Sequence, residues 1–167
     1  MQSKNVSRRT WLGVAGAAAA CAYAASPARS AQAKRPKVAA VFTELRVRSH
    51  AYHILTSLMG KYLFRGEWTD PGVDVVSFYV DQFPRGDLAK DASERFKVPI
   101  FKTIDEALCL GGKSMAVDAV CLIGEHGRYS KNDLGQTMYP RKEFFDEIVK
   151  VVERSGRPAR PSGGQSW

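Results

Sequence analysis

An open parallel α/β sheet covered by helices on both faces is the fold this sequence predicts, and three observations predict it. Short, near-continuous apolar runs recur at 37–42, 73–80 and 116–123, as strands buried on both faces require. Stretches of helical period separate them, with apolar residues three and four apart. Strand and helix alternate at the spacing of βαβ units, which implies parallel pairing.

The first strand, Lys37 to Phe42, runs into a turn from Thr43 to Arg48. Ser49 is placed to cap a helix to about Phe64, with Ile54, Leu55, Leu58, Met59 and Tyr62 on its apolar face. Glu67 to Gly72 reads as a loop, Val73 to Val80 as a second strand, and Asp87 to Phe96 as a helix with Leu88, Ala92 and Phe96 inward. Val98 to Phe101 is a short strand in which Pro99, lacking an N–H, implies an edge or a strand start. Thr103-Ile104-Asp105-Glu106 has the form of a capping box and opens a short helix closed by Gly111-Gly112. Ala116 to Ile123 is the fourth strand, followed by Gly124-Glu125-His126-Gly127 and a polar loop. Pro140 begins the last helix, with Phe144, Phe145, Ile148, Val149 and Val152 on one face.

Residues 1–33 read as an export leader rather than as part of this fold. They hold Lys4, Arg8 and Arg9, an apolar run from Trp11 to Ala25, and a small-residue cleavage pattern at Ala31-Gln32-Ala33. Ser7-Arg8-Arg9-Thr10-Trp11-Leu12 resembles the twin-arginine consensus, so a periplasmic or secreted location is expected. Two alternatives are a membrane anchor, for which the Ala-rich run is short, and lipid attachment at Cys21. No membrane span is expected after cleavage. Four of the 25 basic residues and none of the 17 acidic ones lie in this leader, which leaves 21 against 17 in the rest. That mild excess is scattered, without the basic face interleaved with aromatics that nucleic acid requires, so nucleic-acid binding is not expected. Cys109 and Cys121 each sit in an apolar pattern and read as buried free thiols.

From Gly156 the chain reads GRPARPSGGQSW, a composition that supplies neither strand nor core. A single domain over 34–155 and a disordered tail over 156–167 follow. The sheet then ends at the fourth strand as a long apolar edge, open to self-association. The expectation is a truncated or divergent N-terminal portion of a longer design, unless the last helix folds over that edge.

Residues 37 to about 155 resemble the N-terminal nucleotide-binding domain of the glucose-fructose oxidoreductase and inositol dehydrogenase family (Gfo/Idh/MocA-like). The resemblance rests on the first strand with Ser49-His50-Ala51, the strand ending at Asp81, VPIFKTIDEAL from Val98 and VDAVCLIGEHG from Val117. It implies a Rossmann-like, doubly wound fold, NAD(P) as cofactor, and an oxidoreductase acting on a sugar or polyol. In the family the catalytic Lys lies beyond this domain, in a segment this chain lacks, so no catalytic residue is assigned.

The family's GxGxxG phosphate turn would place glycines at Thr43, Leu45 and Arg48, and none is glycine. Leu45 is expected to put a side chain where the phosphate would sit. Two readings stay open. Arg46 and Arg48 replace the backbone amides as phosphate ligands in front of the helix N-terminus, with Asp81 on the ribose; or the turn serves another ligand, in a non-catalytic binding or interaction module. Ligands in such sheets lie beyond the strand carboxyl ends, which gathers the candidate binding residues Thr43, Glu44, Arg46, Arg48, Asp81, Gln82, Glu125 and His126 around a nucleotide or a sugar-like molecule. His50 and the loop residues Arg128, Tyr129, Asn132, Gln136, Tyr139 and Arg141 are near enough in this topology to join them. Acid–base chemistry or metal binding through His50, His126, Glu125 and Asp81 are further options, and the plain alternative is a solvated loop.

Overall fold

The computed structural model describes residues 34–156. The leader, its cleavage pattern and the tail from 157 lie outside the described residues.

Four parallel strands form one sheet in the order β5-β4-β1-β6: β1 (Lys37–Phe42), β4 (Asp74–Val80), β5 (Ile100–Phe101) and β6 (Ala119–Ile123). Alternation along β1 divides the core into two layers. Ala39 and Val41 face α3 (Ile104–Cys109) and α4 (Arg141–Arg154), where Leu108, Phe144, Ile148 and Val151 are buried. Ala40 and Phe42 face α1 (His50–Met59) and α2 (Ala89–Phe96), joining Leu55, Phe78 and Val98. The result is a single Rossmann-like α/β domain with helices on both faces of the sheet, as the sequence predicts.

Register shifts once, between Val38 and Ala39, where Val76 of β4 is the extra residue of a bulge. Val76 and Ser77 therefore both address the α3 layer: Val76 packs into its core, and the buried Ser77 hydroxyl donates to the Ala107 carbonyl at 2.8 Å.

Besides the later starts of β5 and β6, at Ile100 and Ala119, three elements differ from expectation. α1 stops at Met59, because Gly60 takes an extended conformation. A short hairpin replaces the helix end and the loop: β2 (Tyr62–Phe64) pairs with β3 (Glu67–Thr69) across Arg65 and Gly66, both at positive φ, the pattern of a tight two-residue hairpin turn. α2 begins at Ala89 rather than Asp87, since Asp87 turns its side chain to accept the Ala89 N–H at 2.8 Å. The capping predictions at Ser49 and Thr103 agree with the structure: each side chain accepts from the helix's first turn, and Leu110 closes α3 in the left-handed conformation.

α4 packs against α3 over one face of the sheet and, among the described residues, no strand pairs with the outer side of β6. Cys109 and Cys121 are free thiols. No helix among the described residues is long and apolar enough to cross a membrane.

Candidate functional site

The carboxyl ends of β1, β4 and β6 converge on one rim, and hydrogen bonds stitch their loops together. Asp81 N–H donates to Phe42 and Gln82 N–H to Thr43, at 3.1 and 2.8 Å. The Thr43 hydroxyl, fully buried, donates to the Glu125 carbonyl at 2.5 Å and pins the β6 loop onto the β1 turn. Gln82 holds the same loop from the other side, its Oε1 accepting from Arg128 N–H at 2.9 Å and its Nε2 donating to the Arg128 carbonyl at 3.2 Å.

The turn that stands where a glycine-rich loop would be is satisfied from within. Leu45 N–H donates to Asp87 Oδ2 at 2.6 Å, and the Leu45 carbonyl accepts from Leu88 N–H at 2.6 Å. The Leu45 side chain is 3 % exposed and packs with Ala51, Leu55 and Ala89. This corrects the expectation that it would project into the ligand space. Glu44 is also buried; its Oε1 lies 2.8 Å from Arg46 Nε but out of line for a hydrogen bond, so the contact is one of charge. Arg48 takes φ +68°, a left-handed conformation that favours glycine.

Asp81, the candidate ribose ligand, is engaged on both oxygens: Tyr79 donates to Oδ1 at 3.1 Å and Tyr129 to Oδ2 at 2.7 Å. Burial foremost, and then the Asp81 charge, push the Tyr79 phenol up to about 12. The Tyr129 phenol is raised as well, by burial and then by its hydrogen bond to Asp81. Both therefore stay protonated donors. The loop that carries Tyr129 turns at His126 and Gly127, at φ +69° and +104°, and a Cβ on Gly127 would stand 2.7 Å from the Tyr129 ring.

The open part of the rim lies between α1 and β6. His50, the first residue of α1, sets Nδ1 against Glu125 Oε2 and stacks on His126, with ring centroids 5.5 Å apart and planes 16° from parallel. Arg46 reaches His126 Nδ1 at 3.3 Å, and Arg141 lies 3.7 Å from Glu125 Oε1 while donating to the Gly124 carbonyl. A cleft of about 310 Å³ opens here, lined by His50, Ile54, Leu122, Gly124, Glu125 and Arg141 among others. A larger hollow of about 600 Å³ lies between α1 and α2, but apolar side chains such as Leu55, Met59 and Phe96 line much of it, and its charged groups, Lys61, Asp91 and Arg95, form no convergent set.

Of the candidates named from sequence, Arg46, Glu125 and His126 meet in one cluster with His50 and Arg141. Arg48 stays exposed on the turn. Thr43, Glu44, Asp81 and Gln82 build the floor and the loop closure rather than the open cleft. Asp87 was missed, having no local signal beyond its place at a helix start. No protein-family model, curated protein or solved structure matches the chain.

Proposed function

We propose that this chain is an exported, Rossmann-like binding module whose strand-end cleft takes a small anionic, sugar-like ligand among Arg46, His50, Glu125, His126 and Arg141. The observation that carries the reading is the Asp87 carboxylate seated on the Leu45 N–H at 2.6 Å. A dinucleotide pyrophosphate needs backbone donors at such a turn, and a carboxylate already there both uses the donor and repels the phosphate. The engagement of Asp81 by two tyrosines supports the same reading, because ribose hydroxyls would need those oxygens. Two guanidinium groups beside paired polar side chains suit a carboxylate-bearing polyol. Export is supported by the twin-arginine-like stretch at Ser7–Leu12 and the Ala31–Ala33 pattern.

The second reading is an NAD(P)-linked oxidoreductase domain of the Gfo/Idh/MocA-like type, acting on a sugar or polyol together with a further domain. Arg46 and Arg48, both exposed on the turn ahead of the α1 N-terminus, favour it as phosphate ligands.

Calorimetric titration with gluconate, NADH and NADPH separates the two. The first reading expects gluconate binding that Arg141→Ala weakens, with no response to either dinucleotide. Dinucleotide binding that an Arg46→Ala, Arg48→Ala double variant loses would overturn it in favour of the second.

A further inference from the structure

We infer that His50, Glu125 and His126 form a binding site for a divalent transition-metal ion, zinc being the ion the donor set fits best. One ligand atom from each of the three lies within 4.8 Å of the others. Two imidazoles and a carboxylate are a recurrent zinc donor set that leaves a position open for water or a ligand. Zinc–ligand bonds of about 2.0–2.2 Å put tetrahedral donors roughly 3.3–3.6 Å apart, so a spread of at most 4.8 Å is within side-chain adjustment, with His50 Nδ1 and Glu125 Oε2, now in contact, parting to admit the ion. His50 is free to do this, its side chain being 66 % exposed on the first turn of α1.

Three further features support the site. His126 holds φ +69°, a left-handed conformation that persists in a non-glycine residue where the surroundings enforce it. The Thr43 hydroxyl on the Glu125 carbonyl and the Gln82 bonds to Arg128 enforce it here, placing the two rings in parallel. Arg141, 3.7 Å from Glu125 Oε1, is the outer partner that orients a ligating carboxylate, leaving Oε2 toward His50. The cleft beside the three residues supplies an entry path and room for an exogenous ligand.

Arg46 is the competitor. Its guanidinium, which has only donors, faces His126 Nδ1 at 3.3 Å, so that nitrogen presents a lone pair. A metal at Nδ1 takes that lone pair; a metal at Nε2 moves the ring proton to Nδ1, where it meets a donor. On either nitrogen, binding displaces Arg46. Asp81, considered from sequence as a fourth ligand, is outside the cluster and held by its tyrosines.

The inference stands without the sugar-like-ligand reading, because the titration uses the metal alone. Zinc chloride is titrated into the full chain by calorimetry, alongside His50→Gln, His126→Asn, Arg46→Gln and His53→Ala, with far-ultraviolet circular dichroism of each. Asn tolerates the left-handed conformation at 126, so that variant keeps the loop. The expected result is one equivalent bound, weakened at least about tenfold by His50→Gln and by His126→Asn, tightened by Arg46→Gln, and unchanged by His53→Ala. Cobalt loading should give a visible spectrum without a thiolate charge-transfer band. No saturable binding, equal binding by the folded His50 and His126 variants, or a thiolate band that places the ion at a cysteine would overturn the inference.

Discussion

Asp87 Oδ2 accepts the Leu45 N–H at 2.6 Å while its Oδ1 accepts the Ala89 N–H at 2.8 Å, so one carboxylate ties the start of α2 to the turn after β1. Asp87→Ala removes both acceptors and should cost about 1–3 kcal/mol, the range for two lost hydrogen bonds. Asp87→Asn keeps one oxygen and should fall between. Denaturant unfolding of the two variants checks the order, and equal losses would mean only one bond matters.

Gly127 turns the β6 loop at φ +104° with the Tyr129 ring against it. Gly127→Ala meets both the strain and the ring, and should destabilise by about 1–3 kcal/mol. Tyr129→Phe, which loses only the bond to Asp81, should leave the global midpoint nearly unchanged while speeding amide exchange in 124–130. In an alkaline absorbance titration the same variant should lose one late-ionising phenol.

Arg154 makes two hydrogen bonds to Asp105, at 2.5 and 2.9 Å, and these foremost, followed by the Cys109 thiol, hold the Asp105 carboxyl below its ordinary 3.8. The native state then binds fewer protons than the unfolded chain through that window. The contribution is present in full above the unfolded carboxyl's pKa and disappears as pH falls through the native one. Asp105→Asn should lower stability most at neutral pH, where the contribution is present in full, and least at low pH, so that the acid limb of stability against pH flattens; an unchanged acid limb would refute the link.

β6 has a free outer side among the described residues, and an unprotected strand edge is a template for another chain. Sedimentation of the protein at rising concentration should show reversible association, reduced by a charge at Val120 or Cys121. A monomer at every concentration would count against it.

The fold was legible because β1, β4 and β6 are near-continuously apolar and two of the helices between them carry their own caps at Ser49 and Thr103. The hairpin was hidden by its apolar residues: Tyr62 extends the helical spacing of Leu55 and Leu58, and only Gly60 argues for a stop. At the rim, topology alone brought His50, Glu125 and His126 together. What topology does not encode is who donates to whom. Thr43, Asp81 and Asp87 read from sequence as ligand-facing or unremarkable, and each is spent on a long-range bond to another loop.

The extra residue at Val76 sets the phase of everything downstream on its strand. Before it, odd-numbered Val75 belongs to the α1 layer; after it, even-numbered Phe78 and Val80 do. Val76 thus works as a half-turn inserted into the strand, rotating Tyr79 and Asp81 toward the side where Tyr129 waits. A deletion there would remove no residue of the rim, yet it would aim both residues at the opposite face, or else unseat the Arg35 clamp on Asp74 at the strand's beginning.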